Sequence, residues 1–361
     1  MEYFKNLARV IVSMLLSLVT LFLCGFIYFN DGSTQVWNDT SSKEPLESIK
    51  VENVSSSFDT ESKETETVAK EETKEKENIQ SVPESTQSTV QTSGDNASAL
   101  GKIVEQFLSP YSASLSHNNV YIKNSTPLNI DLKSELSQPL KIKINKSKEP
   151  QVLILHTHAT ESYMKEERDY YTASDLTRTT DNAANMINIG NIIAERLKVG
   201  GFSVIHDKTQ HDASSYSGSY TKAEKTITEY LKKYPSIKIV IDVHRDSISL
   251  GGGNKAKPTV EINGRKAAQV MLCMGSESGA VTGFPNWKEN FRLAAHFQQT
   301  MEVMYPGLAR PMLLMSKKYN EHLTTGSMLL EVGTEANTLA EASYTAELVG
   351  NCLINLFNTL G

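Results

Sequence analysis

The chain has 361 residues, with 42 acidic and 36 basic side chains and a net charge of −6. The charge is unevenly spread: residues 31–100 hold fifteen acids and six bases, while 101–361 keep a net of +2. A uniformly acidic surface and a strongly basic nucleic-acid binder are both excluded, and three cysteines (Cys24, Cys273, Cys352) exclude a disulfide framework or an all-cysteine zinc site.

Residues 1–9 carry Lys5 and Arg9 and precede VIVSMLLSLVTLFLCGFIYF at 10–29. That uncharged run is long enough for about 30 Å of helix, so it predicts a single transmembrane anchor. The positive-inside rule puts residues 1–9 in the cytoplasm and the rest outside the cell membrane. A cleaved signal peptide fits less well, because no A-x-A site follows. Residues 30–100 are rich in Ser, Thr, Glu, Lys, Asn and Gln, with few large apolar side chains. Too little apolar area is available there to offset the entropy of ordering, so a disordered acidic linker is predicted. Its root-mean-square reach would be about 40–50 Å.

From Gly101 the pattern becomes globular. Residues 101–109 (GKIVEQFLS) suit a short helix, and 121–122 and 140–144 suit strands within an N-terminal extension, 101–149. From Gln151 apolar strands alternate with amphipathic stretches. Strands are expected at 152–155, 202–205, 237–243 and 328–331, and helices at 185–197, 219–233, 290–304 and 338–360. Residues 259–262 and 267–274 flank Asn263-Gly264, the expected pair for a two-residue hairpin. This order predicts an α/β fold over 150–361, a mostly parallel sheet with helices on both faces.

In such sheets ligands gather beyond the carboxyl ends of the strands. The strand at 152–155 runs into His156-Thr157-His158-Ala159-Thr160-Glu161, the one at 237–243 into His244-Arg245-Asp246, and the one at 328–331 ends on Glu331. Two imidazoles and a carboxylate with one open position make a hydrolytic zinc site, and a further glutamate can move the proton of an attacking water. His156 and His158 are two residues apart, so on an extended chain both face one cavity. A strand-end histidine also serves as a hydrogen-bonded structural residue, so the spacing alone leaves both readings open. Arg245 can bind a substrate carboxylate, steady an oxyanion, or pair with Asp246. His206 and His211 fall in a polar stretch and read as surface residues, and Gly251-Gly252-Gly253 reads as a loop.

The motifs ILHTHATESY (154–163), IDVHRDS (241–247), TVEING (259–264), NWKEN (286–290), YPGLAR (305–310) and LLEVGTEANTLAEA (329–342) together resemble the stage II sporulation protein P family of endospore-forming bacteria. That family is similar to zinc N-acetylmuramoyl-L-alanine amidases. The resemblance implies a Zn2+-dependent peptidoglycan hydrolase acting on the amide between N-acetylmuramic acid and L-alanine, with a cross-link endopeptidase activity beside it. It also implies work in forespore engulfment, with the stage II sporulation proteins D and M as partners. By the same match Glu331 is the catalytic base and His244 a metal ligand; Arg245, beside His244, is expected as a second catalytic residue on its own chemistry. In the amidases the first ligand sits in a G-H-G-G turn. Here His156 and His158 stand without glycines, and either can fill the role. The ligand glutamate that opens a helix in the amidases has no counterpart near Met186, and Glu161 takes its place. A non-catalytic wall-binding scaffold is the alternative that this departure keeps open.

Overall fold

The computed structural model describes residues 98–361, apart from position 176. The expected anchor at 10–29 and all but the last three residues of the expected linker at 30–100 lie outside the described residues, and Ala99 and Leu100 at its end belong to a strand. Among the described residues no helix is long and apolar enough to cross a membrane.

In chain order the elements are β1 (Ala99–Gln106), β2 (Leu115–His117), β3 (Val120–Asn124), α1 (Leu132–Ser137), β4 (Val152–Leu155), β5 (Tyr170–Thr172), α2 (Met186–Val199), β6 (Val204–His206) and α3 (Ser219–Lys233). Then come β7 (Ile239–Asp246), β8 (Ser249–Gly251), β9 (Asn254–Ile262), β10 (Arg265–Ala268), β11 (Val270–Gly275), α4 (Trp287–Met304), β12 (Met312–Met315), β13 (Ser327–Thr334) and α5 (Leu339–Asn358).

Eight strands form the main sheet, in the order β2-β3-β12-β11-β13-β7-β4-β6. The pairs β6/β4, β4/β7, β7/β13, β11/β12 and β12/β3 are parallel, whereas β11/β13 and β2/β3 are antiparallel. The sheet is therefore mostly parallel, as expected, with one reversal in its middle. Alternation along β4 divides the two cores. Val152 and Ile154 join the large cluster with Ile189 and Ile193 of α2, Phe297 of α4 and Val349 of α5. Leu153 and Leu155 face the opposite side, against Ala223 and Ile227 of α3. Helices thus cover both faces.

Local chemistry explains the element ends. Asn185 caps α2 by accepting the amide of Ile187, and Gly201, with φ +87°, carries the chain out of it. Thr338 and Glu341 form a reciprocal capping box at the start of α5. Asn263 and Gly264, both at positive φ, make the predicted hairpin turn. Its second arm divides at Gln269: β10 pairs with β9, and β11 crosses into the main sheet.

Two expectations need correction. Residues 99–106 are a strand, not a helix. The segment is parallel to β9 and antiparallel to β5, and β-branched Ile103-Val104 favour that pairing. Residues 140–144 form no strand, although Ile142 and Ile144 are buried. Within the N-terminal extension 101–149, β2 and β3 complete one edge of the main sheet. Cys273 and Cys352 are buried free thiols.

Candidate active site

Register brings the site together. β7 and β13 run parallel with Glu331 opposite His244, so both side chains arise at one level of the sheet. β4 ends beside β7, and the chain after it turns over residues 157–160. A cavity of about 380 Å³ opens there, lined by His158, Glu161, Arg178, Tyr216, His244, Arg245, Glu331 and Glu335 among others.

The two histidines after β4 part company. His156 keeps the parity of Val152 and Ile154 and points toward α2. Its Nδ1 donates to the carbonyl of Val243 at 2.8 Å, and its Nε2 lies 2.9 Å from His206 Nε2. A Cβ on Gly190 would sit 2.5 Å from both of these Nε2 atoms, so α2 closes over the imidazole pair. His156 is therefore walled off from the cavity. The turn breaks the extended parity that predicted both histidines on one side, and His158 alone lines the cavity.

His158 is buried, and its ring stacks on Tyr216 with centroids 4.3 Å apart. Ser219 Oγ donates to the carbonyl of Tyr216 at 2.8 Å and lies 3.2 Å from His158 Nδ1. The hydroxyl proton being used, Nδ1–H is the donor, which leaves the Nε2 lone pair free. Asp212 Oδ2 stands 3.9 Å behind Nδ1. Burial pushes the His158 pKa down to about 2, and neighbouring His244 adds to this.

His244 has its own carboxylate: Nε2 is 2.9 Å from Asp242 Oδ1, while Nδ1 faces Glu161 Oε2 at 3.7 Å. Asp242 also accepts from the amide of Thr157 at 2.8 Å and from its hydroxyl at 2.6 Å. Burial opposes the charge on both partners. The His244 cation and the Thr157 donors nevertheless hold Asp242 at about 2, and Asp242, Glu161 and Glu331 hold His244 at about 9.

Glu331 is buried, and neither carboxylate oxygen has a hydrogen-bond partner among the described residues. Burial and the nearby Asp246 carboxylate raise its pKa to about 8. An orphaned buried carboxylate is costly and points to a missing partner. Arg245 does not pair with Asp246, which Arg310 holds at 3.0 Å. Its guanidinium instead donates to the carbonyls of Ser162 (3.2 Å) and Thr177 (2.8 Å), and its amide donates to Glu161 Oε2 at 3.2 Å. Arg245 thus clamps the segment carrying Glu161 through its amide, Nε and Nη2, while its side chain also lines the cavity.

His158, Glu161 and His244 form a donor set suited to zinc, with Asp242 2.9 Å behind His244 Nε2 and Ser219 behind His158 Nδ1. Among the described residues, however, no three His, Cys, Asp or Glu side chains stand close enough to make a ready metal site.

Sequence reasoning missed Asp242, Asp212, Arg178 and Tyr216. Asp242 was detectable, two residues before His244 on the same face of a strand. The others come from loops, where no period marks them. His211 is buried rather than a surface residue, bonding the His156 carbonyl and Thr226 at 2.9 Å each. His206 is partly buried against His156.

The family model for stage II sporulation protein P matches residues 25–354. The chain belongs to that family. A curated member, stage II sporulation protein P of Bacillus subtilis (strain 168), is 28 % identical over 220 residues, covering 57 % of this chain and 51 % of the relative. The chain thus spans about half the length of the curated relative it matches. Among solved structures, the N-acetylmuramoyl-L-alanine amidase AmiC2 of Nostoc punctiforme is 10 % identical, with a TM-score of 0.33 over 60 % of this chain and 97 % of that one. The CwlD amidase from Clostridioides difficile, in complex with the GerS lipoprotein, is 11 % identical, with a TM-score of 0.34 over 58 % and 98 %. At scores this low the likeness assigns no residue a role.

Proposed function

We propose that this family member is a zinc-dependent peptidoglycan hydrolase that cuts the amide between N-acetylmuramic acid and L-alanine, with a cross-link endopeptidase activity at the same site. One observation carries the reading. A buried glutamate with both oxygens unpaired stands at the level of His244, in a cavity with two imidazoles, one backed by Asp242 and the other by Ser219.

His158, Glu161 and His244 would hold the zinc, which supplies an activated water near neutral pH and a Lewis acid for the scissile carbonyl. Glu331 accepts the proton of the attacking water and returns it to the leaving nitrogen. A carboxyl raised to about 8 is suited to both transfers. The Arg245 amide holds Glu161, and its guanidinium, which lines the cavity, steadies the scissile oxygen or a substrate carboxylate. Asp242 faces His244 Nε2, and Ser219 accepts from His158 Nδ1, which orients the two imidazoles.

The proposal extends to a single-pass anchor at 10–29, which would place the body outside the membrane of the sporulating cell, and to the stage II sporulation proteins D and M as partners. The anchor motif and the family membership support these parts. The deciding experiment is muropeptide release from purified sacculi. Release should require zinc and vanish in Glu331→Ala, with mass spectrometry separating lactyl-amide from stem-peptide products. A folded Glu331→Ala protein that releases peptides at the normal rate refutes the assignment. The absence of a ready three-ligand cluster among the described residues favours the scaffold alternative. A zinc content well below one per chain in folded preparations that bind sacculi but release no peptide would support it.

A further inference from the structure

A second cavity, of about 470 Å³, adjoins the first, and His158 and Tyr216 line both. Its walls combine three unusual features. The first is charge. Lys317 and Lys318 are half-buried and line the cavity, yet neither has a carboxylate partner among the described residues. In the first cavity the cations are all engaged: Arg178 with Asp212 and Glu161, Arg245 with Glu161, and Lys255 with Glu335. The one acid lining the second cavity, Glu224, lies 3.4 Å from His322 Nε2.

The second feature is donors without acceptors. The first turn of α3 lines the cavity, and its N-cap, Gly218, supplies no side-chain acceptor for the free amides. The third is the backbone. Tyr319 and Asn320 both adopt left-handed φ angles of 50° and 58°, an arrangement secured by Asn320 Nδ2 donating to the Tyr220 carbonyl at 2.8 Å. Strain of this kind persists where the surroundings hold it, and it clusters at ligand clamps.

We propose that the second cavity is a carboxylate subsite that receives the peptide arm of the wall substrate. This rests on the hydrolase reading of the first cavity. The glycan arm is neutral where its lactyl group is amidated, whereas the stem peptide carries free carboxylates. Two unpaired ammonium groups and an uncapped helix start discriminate in favour of the charged arm. The shared wall of His158 and Tyr216 then sets the scissile amide between glycan and peptide. Tyr220 and Tyr319 supply apolar surface for the peptide backbone.

The test uses the full chain and the stem tripeptide L-Ala-γ-D-Glu-diaminopimelate, alongside the same tripeptide with every carboxylate converted to carboxamide. Binding is followed by calorimetry in the wild type, in Glu331→Gln, and in the double variant Lys317→Gln/Lys318→Gln, with thermal melts to check folding. The tripeptide should bind wild type and Glu331→Gln alike and bind the double variant about tenfold or more weakly. The carboxamide form should bind weakly and equally to all three. Equal tripeptide affinity in wild type and double variant overturns the subsite. So does lysine-dependent binding of a peptide-free disaccharide whose lactyl carboxyl is a neutral carboxamide. If sacculi release stem peptides but the tripeptide does not bind, the subsite fails and the hydrolase reading survives. If the tripeptide binds through the lysines but no peptide is released, the reverse holds.

Discussion

Replacing Asp242 with asparagine probes how the sheet holds its central histidine. The side chain is buried, accepts twice from Thr157 and lies 2.9 Å from His244 Nε2. Asparagine keeps the volume and can still bond Thr157, so the change removes mainly the charge. A carboxyl lowered from the ordinary 3.8 to about 2 stabilises the fold by about 2 kcal/mol at neutral pH. The sign follows from the direction of each shift. The Asp242 contribution is complete above pH 3.8 and fades as pH falls toward 2. The His244 cation, raised from 6.5 to about 9, contributes fully below 6.5 and is lost as pH rises through 9. The stability gap between wild type and Asp242→Asn should therefore form a plateau near pH 4–6.5 and shrink on both sides. Urea unfolding of the zinc-stripped full chain from pH 2.5 to 10 measures it. A gap below about 0.5 kcal/mol on the plateau, or one that stays flat across the range, refutes the pairing argument. If His244 binds zinc, the same variant should bind it about 10–100-fold more weakly.

Three further outcomes are expected. Glu331→Gln should stabilise the zinc-stripped protein by about 1–3 kcal/mol at pH 8 in urea melts, because a carboxyl raised from 4.5 to about 8 costs stability progressively across that window; the same variant should release no peptide. Lys257, buried and within 3.4 Å of Glu105, Glu167 and Glu341, should on change to Met leave three carboxylates without their shared cation. A loss of about 3–5 kcal/mol is expected, read by thermal unfolding. His206, held down to about 3 by burial and by His156, binds its proton only in the unfolded chain between pH 6.5 and 3. His206→Gln should therefore lose less stability than wild type on acidification through that range, which a pH series of melting temperatures checks.

Much of this was legible because it is local. Continuous apolar runs marked β4, β7 and β13, the Asn-Gly pair marked the hairpin, and strand ends marked the side of the sheet where His244 and Glu331 meet. What escaped depends on tertiary pairing or on turns. A short segment such as 99–106 has β-branched residues and no neighbours of its own, so only its partners β9 and β5 decide that it is a strand. His156 and His158 look equivalent by spacing, yet the turn over 157–160 sends one to α2 and the other to the cavity. Asp212 reaches the site through its bonds to Thr160 and Arg178, contacts that no periodicity announces.

A second sheet, in the order β10-β9-β1-β5, has a mechanical consequence. β1 runs parallel to β9 over Ile103–Gln106, with four residue pairs in register. A force along the chain at residue 98 would pull this strand lengthwise, loading the hydrogen bonds together in shear rather than peeling them one at a time. The cross-links between Glu105 and both Lys257 and Lys266 resist the same sliding. Gln269, bonded to the amide and carbonyl of Leu108 at 2.7 and 3.1 Å, fastens the chain just beyond the strand. The first strand therefore acts as a shear joint, keeping a pull on the chain before it from reaching the turn that holds His158.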